Sequence, residues 1–258
     1  QTTYTDAFTF IPSLKNMTIP NLAALGRVRF AGSYTGFITD FVTYGTLQTS
    51  LGTLVTDINM KFPKGAEPVY SGTIKTGNFQ LGRFMNNTQL GTIAFNGQVK
   101  GSSFNWKKLD MDINGSIEKL QFNNYTYQNI IAKGRLKNRQ FNGEFDINDP
   151  NAILAGTGLI DLSKETPTFN VVANVERLDL QALKLTDDAI VLAGNFNLNF
   201  NGNNVSNFLG DAAFSSVSIM HGDKPLTFDS LVVSSNFENG VRTLRARSND
   251  FNAVITGK

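Results

Sequence analysis

The sequence predicts an all-β fold: an elongated, curved sheet of antiparallel type, extended by an internal repeat, and either closed on its apolar side or curled into a trough with an apolar interior. Three observations carry that prediction. Apolar and polar side chains alternate with period two along much of the chain, helix signals are almost absent, and turn signals recur at short spacing.

The first element is a single turn. Residues 19–25 (IPNLAAL) follow Thr18 and carry Pro20 near their start, as a short helical turn does. Alternating segments come next. Ile93, Phe95, Gly97 and Val99 share one face, and Thr92, Ala94, Asn96 and Gln98 the other. Leu109, Met111, Ile113, Gly115 and Ile117 oppose Asp110, Asp112, Asn114, Ser116 and Glu118, and Phe141, Gly143, Phe145 and Ile147 oppose Asn142, Glu144, Asp146 and Asn148. Phe169, Val171, Ala173 and Val175 continue the pattern. Residues 176–186 (ERLDLQALKLT) fit neither period. Leu192, Gly194, Phe196, Leu198 and Phe200 then face away from a row of asparagines, and Leu231, Val233 and Phe237 close the series. Successive side chains of a strand leave opposite faces, so each segment has one apolar and one wet face. Buried parallel strands would read as unbroken apolar runs instead. Asn114-Gly115, Asn142-Gly143, Asn201-Gly202, Asn239-Gly240, Lys64-Gly65 and Asp149-Pro150 are turn signals, although Asn142-Gly143 falls inside alternation and reads equally as a bulge.

Composition narrows the function. The 258 residues carry 23 Lys+Arg against 21 Asp+Glu, too even a balance to attract nucleic acid or an anionic surface by net charge. There is no Cys, which removes disulfides, thiolate metal sites and cysteine nucleophiles. The one His, His221, has no second ligand beside it in sequence, and Asp146, Asn148, Asp149 and Asn151 lack the glycine and terminal Glu of a calcium loop, so no metal or other cofactor is expected. No nucleophile elbow or dinucleotide fingerprint is present, and an enzyme is not expected. The chain starts at Gln1 with no signal segment following. Lys133, Arg135, Lys137 and Arg139 alternate on a wet face, as Arg245 and Arg247 do, and read as solvated charges because no aromatic residues are interleaved for base stacking.

Shifting the sequence by 101 residues lays NDPNAILAG (148–156) on NDFNAVITG (249–257), AFNGQVKG (94–101) on NFNLNFNG (195–202), and IIAKGRLKNR (130–139) on LVVSSNFENG (231–240). The expected organisation is one elongated segment over 1–258. It holds a repeat of about 100 residues (roughly 70–158 and 171–257) preceded by a partial unit over 1–69. No helices are available to cover the apolar face. The sheet must close on itself as a barrel or sandwich, or curl into a trough.

Four runs carry a family resemblance: GSYTGFITDFVTYGTLQTSLGTLVTDINM (32–60), YSGTIKTGNFQLGRF (70–84), YTYQNIIAKGRLKNRQFNGEFDINDPN (125–151) and GLIDLSKETPTFNVVANV (158–175). Together they resemble the TamB (translocation and assembly module) branch of the AsmA-like bridge proteins, in the form found in Bacteroidota. The resemblance implies a β-taco-like trough crossing the periplasm between inner and outer membranes. It implies that phospholipid is carried and outer-membrane protein assembly assisted, with an Omp85-type (TamA-like) barrel as partner. The inner-membrane anchor helix and the partner-docking domain of such proteins are not found here, so the chain reads as an internal piece.

The expected lipid-lining residues are the inward apolar ones: Phe95, Val99, Ile113 and Ile117, then Ile130, Leu136, Phe145 and Ile147. Phe169, Val171, Val175, Phe196, Leu198 and Phe200 extend the set, and Leu231, Val233 and Phe237 complete it. A polar substitution at Phe145, Phe196 or Phe200 is expected to block lipid passage more than folding. The same face also suits the dry core of a structural or adhesive β-repeat rod, and periodicity alone does not separate the two.

Overall fold

Each alternating segment forms part of a strand in the computed structural model, which describes residues 2–3, 20–203, 206–222 and 224–257. Thr18 and Ile19 of the expected first turn, and residues 1 and 4–19 of the leading partial unit, lie outside the described residues. Leu22–Leu25 form the 3-10 turn expected after Pro20, capped by the Asn21 side chain, which accepts from Ala24 N at 3.2 Å.

The chain divides into two units, 1–139 and 140–258, a boundary that falls inside the first repeat copy. The first unit holds β1 (Thr2–Thr3), β2 (Arg27–Phe37), β3 (Asp40–Thr49), β4 (Gly52–Lys61), β5 (Val69–Phe79), β6 (Leu90–Ser102), β7 (Asp110–Phe122) and β8 (Tyr125–Lys137). The second holds β9 (Gln140–Asp149), β10 (Ala152–Asp161), β11 (Thr168–Asp179), β12 (Ile190–Asn201), β13 (Leu209–His221), β14 (Lys224–Glu238), β15 (Val241–Ser248) and β16 (Asn252–Gly257). Within each unit every strand pairs antiparallel with its neighbour in sequence, a meander not closed into a barrel.

Two of the sequence's turn signals are not turns. Asn114-Gly115 lies inside β7, and Asn142-Gly143 lies inside β9 in unbroken register with β10, so it is not a bulge either. Gly143 faces Gly158 there, two small residues meeting where side chains would crowd. The ambiguous stretch 176–186 is the end of β11 followed by a tight turn. Leu183 N donates to Asp179 O at 3.0 Å in that turn, just as Phe84 N donates to Gln80 O at 3.1 Å in the one-turn helix Leu81–Met85.

That pair illustrates how the second unit echoes the first. Offset by 99 residues, the row Ile74, Gly97, Gly115, Ala132 across β5 to β8 becomes Ala173, Phe196, Phe214, Leu231 across β11 to β14. The irregularity between Thr76 and Phe79 recurs between Val175 and Leu178. The bond from Ser103 N to Pro68 O (2.8 Å) recurs from Gly202 N to Pro167 O (3.0 Å). The ladders thus recur at 99, where the matching sequence runs recur at 101. A slip of two residues leaves every side chain on its own face, because strand side chains alternate with period two, and pattern matching is blind to it.

The apolar rows form one cluster in each unit. Ile58, Tyr70, Phe95, Val99 and Leu109 centre the first, and Val171, Ala173, Val175, Phe196 and Val217 the second. No helix long enough to cover either face occurs among the described residues, which hold only the 3-10 turn and the one-turn helix. Burial therefore comes from the sheet of each unit rolling toward its own apolar side, with glycines making room. A Cβ at Gly97 or Gly115 would lie 2.8 Å from the Phe95 ring, which covers both positions. Phe145 covers Gly156 in the second unit in the same way, at 2.7 Å.

Candidate functional site: an apolar face within each unit

Cross-strand pairing brings the expected lining residues together in rows. In the first unit Phe95 faces Ile117, which faces Ile130; Val99 faces Ile113; and Leu136 faces Met111. Phe95, Val99, Ile113, Ile117 and Leu136 belong to the first apolar cluster. In the second unit Phe145, Val171, Val175, Phe196, Leu198 and Leu231 belong to the other cluster. Phe169 and Phe200 pair across β11 and β12 with rings 5.1 Å apart, Ile147 faces Leu154, and Val233 faces Ala212. Phe237 stands apart: it faces Arg242, is 55% exposed and joins neither cluster.

Exposure varies along this face. Phe95 keeps 9% of its surface, Phe196 8% and Val175 3%, whereas Tyr34 on β2 keeps 48%. Phe196 also meets Phe214 edge to face at 5.0 Å. A charge at Phe196 would therefore remove a packed ring from a buried row and read out on folding first, against the expectation that its substitution blocks lipid passage more than folding. Phe145 and Phe200 are half-buried.

Residues that the alternation did not single out complete the first cluster. The loop between β6 and β7 folds Phe104 and Trp106 against it, with Phe104 stacked on Tyr70 at 5.3 Å and 7°. Its anchor is a small polar knot. Ser103 is fully buried, its Oγ donates to Glu67 Oε2 at 3.0 Å, and Lys108 Nζ reaches Glu67 Oε1 at 2.8 Å. The Lys108 ammonium holds the Glu67 carboxyl below its ordinary 4.5, with burial opposing and the Ser103 hydroxyl assisting. Tyr70 Oη donates to Ser103 O at 3.2 Å, and burial, followed by the charge of Asp110, pushes its phenol up to about 12. An aromatic run in a loop gives no periodicity, so only proximity to Ser102 in the sequence hinted at this lid.

Two hydroxyls on the apolar side, Thr76 Oγ1 and Ser235 Oγ, are buried without a hydrogen-bond partner. A hollow of about 650 Å³ lies across β5 to β8, lined by Gln98, Lys100, Asp112, Asn114, Lys133 and Arg135 together with Val99 and Ile113. The basic stripe read from the sequence is partly neutralised there: Arg135 grips Asp110 with two bonds of 2.6 and 2.9 Å, and Lys137 lies 3.3 Å from the same carboxylate. Arg135 holds the Asp110 carboxyl below its usual range. Arg139 occupies the tight turn after β8, and Arg245 and Arg247 are exposed on β15.

Among the described residues no three His, Cys, Asp or Glu side chains gather as a metal site, and no helix is long and apolar enough to cross a membrane. Asp149 makes a turn, its Oδ1 accepting from Asn151 N at 2.8 Å. In comparisons with known proteins, no family model matches the chain, and no curated protein or solved structure matches it.

Proposed function

We propose that this chain is a segment of a periplasmic bridge protein, of the TamB and AsmA-like kind, whose apolar face shields phospholipid acyl chains between inner and outer membranes. The observation that carries the reading is an antiparallel meander with one apolar face and, among the described residues, no helix or second sheet laid over it in either unit. A 16-carbon chain in water costs on the order of 12 kcal/mol, at about 0.8 kcal/mol per CH₂. Successive rows of Phe, Val, Ile and Leu offer similar shelter at each step, so a chain held there could slide without a deep trap. Direction must come from elsewhere, since a uniform strip favours neither end. In this reading the protein is not an enzyme and needs no cofactor. It also assists outer-membrane protein assembly, with an Omp85-type barrel as partner and an inner-membrane anchor supplied by other parts of the protein.

A second reading, a β-repeat rod with a closed dry core, is favoured by one specific observation. The central rows are already buried by their own neighbours, with Val99, Phe95 and Val175 all under a tenth exposed. In that reading the half-exposed Tyr34, within β2, and Phe237, near the end of β14, are ordinary exposed residues of a sheet.

The test is native mass spectrometry with lipid extraction on protein purified from bacterial envelopes. Bound phospholipid that disappears in Tyr34→Asp and Phe200→Asp proteins of unchanged circular dichroism is the expected result. A lipid-free protein that also takes up no lipid from liposomes would establish the rod.

A further inference from the structure

Two equivalent pairs of strands are joined by two-residue turns: β2 to β3 by Ile38-Thr39, and β14 to β15 by Asn239-Gly240. The second has the chemistry such turns favour. Asn239 and Gly240 sit at φ 52° and 76°, the left-handed region that Asn and Gly enter most easily. Its surroundings are polar, with Glu238 beside it. The first turn breaks this pattern. It exposes Phe37 at 81% and Ile38 at 45%, two apolar side chains side by side at the tip of a hairpin.

The tip is also held firmly. Phe62 N donates to Thr39 O at 2.8 Å, the Phe41 and Phe62 rings stack at 6.2 Å, and Lys61 pairs with Asp40 at 3.0 Å. Asp40 is matched by Lys61 and Glu67 by Lys108, so the exposed Lys64 of the adjoining loop adds one positive charge to this end of the unit.

We propose that the Phe37-Ile38 tip, with Lys64 beside it, inserts into the interfacial layer of a lipid bilayer that carries anionic headgroups. Size favours a bilayer over a protein. A stable protein interface needs about 800 Å² from each side, far more than two side chains at a turn present. A membrane interface accepts single apolar side chains and rewards a neighbouring cation. The other exposed apolar residues of β3, Val42 and Tyr44, lie further back along the strand and would stay outside the layer. This inference stands whether or not the apolar face holds acyl chains.

Vesicle sedimentation tests it, using phosphatidylethanolamine and phosphatidylglycerol at 3:1 and low salt. The intact protein sediments with the vesicles, a Phe37→Ser/Ile38→Ser double variant partitions at least tenfold less, and Lys64→Gln loses less and only on anionic vesicles. The chain's one tryptophan, Trp106, permits a second readout. In a Trp106→Phe background, Ile38→Trp emission shifts to the blue and is quenched by lipids brominated on their acyl chains. Failure of the intact protein to sediment, equal partition of the double variant, or an unquenched Ile38→Trp would each overturn the proposal. So would a concentration-dependent dimer that the double variant abolishes while vesicle binding persists, since the tip would then dock on a second copy.

Discussion

The two units solve the same packing problem with large and small residues exchanged. Across β5 to β8 the row Ile74, Gly97, Gly115, Ala132 is nearly empty, and Phe95 lies over its glycines from the adjacent row. At the equivalent place across β11 to β14 stand Ala173, Phe196, Phe214 and Leu231, and the position matching Phe95 is Gly194. The row two along on the same face reverses the trade. Tyr70, Gly101, Met111 and Leu136 in the first unit correspond to Phe169, Phe200, Gly210 and Ser235 in the second. The backbone ladder and its irregularities persist while the distribution of volume does not. What recurs is the total filling of the rolled sheet, as expected when interiors must reach close packing but can do so in several ways.

The largest effects should come from removing the rings. Phe95→Ala leaves both Gly97 and Gly115 uncovered, and should cost about 3–5 kcal/mol at the upper end of the range for a buried Phe. Phe196→Ala, flanked by Phe214 and Leu231 that can relax inward, should lie at the lower end. Urea unfolding measures both, and a larger loss at Phe196 would break the argument that the glycines depend on Phe95.

A sharper test couples neighbours. Gly97→Ala should destabilise by about 1–3 kcal/mol through overpacking, and Phe95→Leu should relieve part of it. A double variant more stable than the sum of the single changes by at least about 0.5 kcal/mol is the expected outcome. Strict additivity would mean that the cross-strand backbone at Asn114 and Gly115, 2.6 Å from the added Cβ, and not the ring, limits the site.

The polar pair that anchors the lid over the first cluster is not repeated in the second unit's sequence, where Thr166 and Asn207 stand at the places of Glu67 and Lys108. The Glu67 carboxyl is depressed below 4.5, so its contribution is complete above that pH and is lost as pH falls through the lower folded value. Acidification should free the loop and shift Trp106 emission to the red, and Glu67→Gln should remove the transition. A midpoint at or above pH 4.5 would mean that Glu67 gains nothing from Lys108. The smallest effect belongs to Asp110→Asn. Its pairs with Arg135 and Lys137 face solvent, so the unfolding midpoint should barely move and the difference should vanish in 1 M salt.

Much of the candidate face was legible before any coordinates. Alternation placed Phe95, Val99, Phe145, Val171 and Phe196 on one side, because a strand's side-chain period is fixed by its backbone. Phe237 shows where that reasoning stops: it keeps the phase of Leu231 and Val233, yet sits at a strand end where no neighbour rolls over it. Phe104 and Trp106 were missed for the opposite reason, since a loop has no period to read. The stretch 176–186 was unreadable because strand and turn met inside it.

The sequence by itself determined the all-β class, the apolar face and the recurrence of a unit near 100 residues, since each follows from local spacing that any folded form of the chain must respect. Only the tertiary structure decided the register at 99 residues, the exchange of glycine and phenylalanine between rows, and how tightly each unit rolls. Those depend on which side chains meet across strands, and a displacement of two residues changes every such meeting while leaving the pattern of faces untouched.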